Sequence, residues 1–432
     1  MNRRFNLAAA LAAVLAFASP AFADTTAITN ARIHTMGRAG EIASGTVLMQ
    51  NGKIAAVGAQ VRVPAGATVV DAKGRAVTPG LFIAGTNLGA IEIDLVANTN
   101  DTATKNSALS AAFDIQFGID PQSIAIPVAR VAGVTRALVT PGYADGAERE
   151  LLFAGQAAVI TLADRPNIVV RPRAAMMLEL GEGGAARAGG GRGSAIAALK
   201  ADFEDVRWYM RHRGGFDRGA ARDLRLSKPD LEALAPVAQR RMPLIVAAHK
   251  AADIREALKL AKQLGLKIVL SGAEEGWMVS ADIAKAGVPV MLNPTSNLPA
   301  TFEMRGATME NAARLNAAGV TIAFANGAGA QRIREVRYDA GNAVAHGLPF
   351  NAALAALTIN PARMFGEGAD VGSIEPGKQA DVVIWSGDPL EPLTQADAVF
   401  IAGEAQPMTS RAQDLARRYK TLDDPYPPAY KQ

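Results

Sequence analysis

Four histidines are available for acid–base or metal chemistry: His34, His212, His249 and His346. Metal-dependent hydrolysis needs neutral imidazoles and carboxylates converging on an ion that acidifies a water and polarises the scissile carbonyl. None of the four forms an H-x-H or H-x-x-x-H pair, so a histidine-rich metal centre is not expected. The chain has no cysteine, which removes disulfides, thiolate ligands and cysteine nucleophiles together. His249 and Glu182 could form a metal-free acid–base pair; the plainer reading is that ordinary hydrogen bonds hold both. His34 on a strand-like run, His212 between Arg211 and Arg213, and His346 before Gly347 read as structural or surface residues. Glu274-Glu275 could attract a cation or simply begin a helix. Arg187 and Arg192 lie in the glycine-rich stretch 181–194 (GEGGAARAGGGRGS), where they could bind an anionic substrate group beside backbone N–H donors. Its spacing is not that of a phosphate-binding loop, and a mobile loop over the site is the simpler expectation.

The elements that must position these groups alternate. Residues 24–78 read as short strands and turns, with Asn51-Gly52 a two-residue hairpin signal between Gly45–Gln50 and Lys53–Gly58. Thr78-Pro79-Gly80 then turns into the apolar run Leu81-Phe82-Ile83-Ala84, which ends in Gly85-Thr86-Asn87. Further on, Gly133–Val139 has a buried-strand pattern, and Ile196, Leu199, Phe203, Val206 and Met210 have helical spacing. Ser227-Lys228-Pro229-Asp230 opens a helix. Leu244–Ala248, Lys267–Leu270, Val288–Leu292 and Val320–Phe324 continue as strands, with a helix carrying Ile254, Leu258, Ala261 and Leu264 between the first two. Strand and helix in alternation imply a parallel α/β sheet, either closed or open. Strands return near the end, at Asp381–Trp385 and Val399–Gly403.

Several of these segments resemble the amidohydrolase superfamily. Thr78–Gly89 is similar to its P-G-L-I-D-x-H-x-H-x-G motif, Pro243–Ile254 to P-V-x-V-H-A-H-x-A-x-D-I, and Gly372–Ile384 to a late turn-and-strand signature. The resemblance spans about residues 27–403 and is strongest to exported imidazolonepropionase-like and prolidase-like amidohydrolases, which cut C–N bonds other than peptide bonds. It implies a TIM-type (β/α)8 barrel at 79–366 with a composite β-sandwich built from 24–78 and 367–405, followed by an extended tail at 406–432. It also implies one or two divalent metals such as zinc. The ligand positions of the family fall here on Gly85, Asn87, Ala247, Gly272 and Gly327. No cofactor is therefore expected.

Arg3-Arg4, the apolar run Leu7–Phe17 and Ala21-Phe22-Ala23 have the order of a signal peptide covering 1–23, so a periplasmic or secreted location is expected, with no membrane attachment after cleavage. A net charge of +4 on 432 residues gives no electrostatic case for nucleic acid. Two principal functional readings follow, and a further one beside them. In one, the chain is a metal-less, catalytically degenerate binding or partner subunit, joined to an active relative in a hetero-oligomer. In the other, it is an active hydrolase of cyclic amides or dipeptides that uses His249 and Glu182. A third is a carrier whose Arg187 and Arg192 hold an anion.

Overall fold

In a computed structural model, residues 25–93, 95–144, 152–218, 222–325 and 330–420 are described. The signal peptide expected at 1–23, the family ligand position Gly327 and the last residues of the tail, 421–432, lie outside the described residues. Five strands open the fold: β1 (Thr25–His34), β2 (Glu41–Gln50), β3 (Lys53–Gly58), β4 (Thr68–Asp71) and β5 (Ala76–Pro79). The β2–β3 hairpin turns at Asn51-Gly52, both with positive φ, and sets Gln50 opposite Lys53; asparagine and glycine tolerate that backbone best.

Eight strands follow as a second sheet: β6 (Leu81–Thr86), β7 (Val134–Val139), β8 (Phe153–Thr161), β9 (Val169–Glu179), β10 (Leu244–Ala248), β11 (Ile268–Gly272), β12 (Val290–Leu292) and β13 (Ile322–Phe324). They are hydrogen-bonded in sequence order, and β13 comes round beside β6, forming a nearly closed TIM-type barrel. Side chains alternate across the wall: Phe82, Ala84, Ile245, Val269, Met291 and Ala323 fill the lumen, whereas Leu81, Ile83, Leu244, Val246 and Leu270 pack outward with the helices. This period-two division is how barrel strands bury both faces.

One expectation is corrected here. The sheet is not parallel throughout, because β8 runs antiparallel to both β7 and β9. The β8–β9 connection, residues 162–168, is shorter than the dozen or so residues a parallel crossover needs. The apolar run in β8, buried along its whole length, does not reveal direction.

The chain closes with β14 (Val382–Trp385), β15 (Ala396–Ile401) and β16 (Glu404–Ala405). β14 pairs antiparallel with β5, so both ends of the chain join one eight-stranded sheet. Its core gathers Ile28, Ile33, Met49, Ile54, Val382 and Phe400. This separate sheet domain meets the barrel through Arg136 of β7, whose guanidinium donates to Asp381 at 2.8 Å with both side chains buried, and through Trp385, whose ring leaves no room for a Cβ on Gly133 just before β7.

Two local expectations also change. The glycine-rich stretch is not an open loop: Gly181–Arg187 is a helix and Arg192 begins a second, Arg192–Asp217. The glycines permit close packing, since a Cβ on Gly184 would lie 2.4 Å from the Glu179 carbonyl oxygen. The tail is not extended from its start either. Arg411–Tyr419 is helical, begun by a capping box between Ser410 and Gln413. No helix among the described residues is long and apolar enough to cross a membrane.

Candidate functional site

The C-terminal ends of the barrel strands carry function in this architecture, and His249 stands directly after β10. Its Nδ1 lies 2.6 Å from Glu274 Oε2, and Ser296 donates to the other carboxylate oxygen at 3.3 Å. Burial disfavours charge on the imidazole. Glu274 outweighs that through its hydrogen bond and charge, with help from Glu303 and Glu179, and the His249 pKa is raised. Burial likewise opposes charge on Glu274, yet the bond to His249 holds its carboxyl below the ordinary value. The two shifts agree in direction: both favour the imidazolium–carboxylate form of the pair. The acid–base pair expected between His249 and Glu182 is therefore corrected. Glu182 has a half-exposed side chain whose charge partner is Arg192, at 3.9 Å.

Glu275, the neighbour of Glu274, has a different task. It accepts from the backbone N–H groups of Ala251 and Gly306, which caps the helix Ala251–Gln263 and ties down a loop. The doublet is thus one partner for His249 and one helix anchor, not a joint cation site.

Arg187 and Arg192 were expected to hold an anionic group, but both are occupied by the protein's own carboxylates. Arg187 lies 2.8 Å from Glu179 at the end of β9 and stacks 3.7 Å over the Tyr143 ring. The Tyr143 hydroxyl donates to the Leu152 carbonyl, and burial, reinforced by Glu179, pushes its pKa well above the usual value. Arg192 grips Asp253 with two bonds of 2.8 and 3.0 Å and lies 3.5 Å from Glu303. Its own pKa is raised, chiefly by the Asp253 bond. Glu303 accepts from the Glu182 N–H at 2.8 Å, while burial raises its pKa. Glu179, Glu303 and Tyr143 were missed from sequence because each is a lone polar residue with no motif around it.

The remaining histidines are distant from this cluster. His34 is buried with neither ring nitrogen bonded among the described residues and packs 5.5 Å from Phe350; burial lowers its pKa. His212 stacks on Trp208, and His346 bonds the Asn342 carbonyl.

Inside the rim lies a cavity of 260 Å³ lined by Thr86, Asn87, Thr140, Met177, Ser271 and Met291, among others. Gly85 borders it with φ +119, and a Cβ there would approach the Met291 methyl to 3.0 Å. A divalent ion implied by the architecture can be tested against this lining. Hydroxyl, amide and thioether groups replace the imidazoles and carboxylates that such an ion requires. Ala247, the last but one residue of β10, offers only a methyl group. Gly272 ends β11 at φ +84, and a Cβ there would lie 2.5 Å from His249 Cε1 and Nδ1. A histidine ligand at 272 and His249 in its observed place exclude one another. Among the described residues no three histidine, aspartate or glutamate side chains are grouped to hold an ion. The described residues do not fit a catalytic divalent metal.

The nearly closed barrel and the sheet joining both chain ends define the protein first as a TIM-type barrel with a second sheet domain. The model of the Amidohydrolase family matches residues 240–408. A curated relative, Amidohydrolase tasK of Hapsidospora irregularis, is 24% identical over 399 residues, a match covering 84% of this chain. The chain spans 40% of that relative's length. Among solved structures, an amidohydrolase from Thermotoga maritima MSB8 superposes with a TM-score of 0.78 at 26% identity, covering 88% of this chain and 99% of the other. Molinate hydrolase shares the fold at TM-score 0.56 and 17% identity, covering 95% and 98% of the two chains. The sequence match to the Amidohydrolase family thus covers residues 240–408, and the fold of the amidohydrolase from Thermotoga maritima is shared over 88% of the chain.

Proposed function

We propose that this chain is a metal-independent, non-hydrolytic member of the superfamily that binds a small molecule at its barrel mouth. The observation that carries this reading is the imidazole of His249, seated against the Cα of Gly272 and bonded to Glu274, where a ligand side chain from β11 would need room. Metal analysis tests it: the mature protein is loaded with zinc or manganese, dialysed, and its metal content measured. A content far below one ion per chain is expected. Near-stoichiometric metal, lost on replacing residues at the mouth, overturns the reading.

A working partner for such a subunit is an active relative in a hetero-oligomer. Leu95 and Phe117, both strongly exposed on the β6–β7 connection, are apolar surface that a partner would cover. Co-expression with a metal-binding relative followed by sizing is the test; elution as separate species over a range of concentrations removes the partner role. Export follows from the leader, and fractionation with mass spectrometry should find a chain beginning at Asp24 outside the cytoplasm.

The His249–Glu274 ion pair favours a second reading, metal-free hydrolysis of an amide, with Glu274 in the place first given to Glu182. Turnover in the presence of chelator, abolished in His249→Ala, is its signature.

A further inference from the structure

We infer that a groove at the end of the barrel opposite the mouth binds a small organic anion, with acidic groups on an apolar body. The groove has a volume of 730 Å³, within the roughly 300–1,000 Å³ of small-molecule sites. It is lined from the helices Ala251–Gln263 and Ser280–Ala286 and reaches Arg240, Leu266 and Val288. Those three stand just before β10, β11 and β12, which puts the groove at the N-terminal ends of the strands. It shares no lining residue with the cluster around His249. The inference does not depend on the function proposed for that cluster, and stoichiometric zinc at the mouth would leave it standing.

The charge of the groove is one-sided. Arg240, Arg255, Lys259, Lys262 and Lys285 line it against a single acid, Asp282. Arg255 takes Asp282 at 2.9 Å, and Lys259 pairs with Glu256 of its own helix at 3.3 Å. Arg240, Lys262 and Lys285 make no side-chain hydrogen bond or ion pair with the described residues. Leu258, Ala261, Leu266 and Val288 give the same groove an apolar wall. Water and simple salt satisfy surface cations but gain nothing from that wall, whereas an organic anion uses both. Lys262 and Lys285 lie in the last turns of their helices, where a cation also offsets the helix dipole. The backbone of Arg240 has no such account. It ends the turn after the helix Lys228–Ala238 at φ +62, the left-handed conformation that Gly265 (φ +62) and Gly287 (φ +63) adopt after the two groove helices. Glycine holds that conformation at least cost, so an arginine there points to work done by its side chain.

Suberate, octanoate, octanol and inorganic phosphate separate the requirements: two acidic groups on an apolar chain, one, none, and charge without a body. Binding to the purified chain is followed by saturation-transfer NMR and by the methyl resonances of Leu258 and Val288. Suberate is expected to bind and shift those methyls. Octanoate should bind about tenfold weaker for want of one charge-assisted contact, and octanol and phosphate should not bind measurably. Lys262→Gln with Lys285→Gln should remove the advantage of suberate over octanoate. Arg240→Gly should weaken suberate while raising the melting midpoint of the ligand-free protein, because glycine relaxes the turn. Failure of suberate to bind, octanol or phosphate as tight as suberate, or unchanged suberate binding in both variants overturns the inference. In the last case a lowered melting midpoint of the lysine variant would show cations that only balance helix dipoles. A polyglutamate peptide that shifts the same methyls and binds more tightly than suberate also overturns it, because the occupant is then an acidic protein.

Discussion

At the scale of single residues, His249 and Glu274 act as one unit. The raised pKa of His249 contributes stability that is full below the ordinary histidine value and fades as pH rises through the folded value. The depressed pKa of Glu274 contributes stability that is full above the ordinary glutamate value and fades as pH falls through the folded value. Stability from the pair should therefore be greatest between the two ordinary values and fall on either side. Glu274→Gln should flatten that profile and cost about 1–3 kcal/mol in the middle of it, measured by denaturant melts across pH. An unchanged pH profile would mean the pair carries no net stability. Gly272 is coupled to the same ring. Its positive φ and the 2.5 Å approach of His249 predict that Gly272→Ala costs about 2 kcal/mol or more and shifts the His249 resonances in NMR.

At the scale of elements, the helix Lys228–Ala238 shows how position and titration combine. Asp230 is fully buried and accepts the Ala112 N–H at 2.7 Å, fastening the helix to the long β6–β7 connection. Its second oxygen has no partner among the described residues, and burial raises its pKa to about 6. The sign is opposite to the usual carboxylate: ionisation is harder in the folded state, so folding stability should rise as pH falls from above 6 towards the ordinary aspartate range. The shift corresponds to about 3 kcal/mol, and Asp230→Asn should remove that slope in urea melts at several pH values. A variant with the same slope as wild type would discard the assignment. Ser227-x-x-Asp230 was legible in the sequence as a helix start because capping is local; the bond to Ala112 was not, because it depends on residues 118 positions apart. The same divide separates the hairpin at Asn51-Gly52, read at once from turn chemistry, from the antiparallel β8, which only its partners define. It also separates His249, recognisable by its motif, from Glu303, which reaches the site only once the loop after β12 is folded.

At the scale of the whole molecule, the barrel and the terminal sheet are joined by a few buried polar contacts. Arg136 and Asp381 are both almost inaccessible, and the guanidinium also donates to Gln379. Removing one partner strands the other charge, so Arg136→Met should cost about 3–5 kcal/mol. Trp385 presses on the chain just before β7, where a Cβ on Gly133 would lie 2.3 Å from the indole. With the two parts sharing these contacts, calorimetry should show one cooperative unfolding transition in the wild type. Two well-separated transitions would show that the parts are stable independently. Much of this frame was legible because strand and turn signals are local and the late glycine turn is specific; the domain contact was not, because Arg136 in an apolar strand gives no sign of its partner.

The pairing of β5 with β14 also sets a clock. Thr78 and Trp385, which bond across this seam, are 307 positions apart, so a chain made from its N-terminus holds the edge of β5 open until almost all the rest exists. An unpaired strand edge is an invitation to other chains, and long-range pairings are slow to form. The hazard falls on the newly made polypeptide rather than on the finished protein. A chaperone would then matter most in the interval before β14 arrives, and a nascent chain cut short before residue 382 should aggregate through its N-terminal strands however well its barrel is formed.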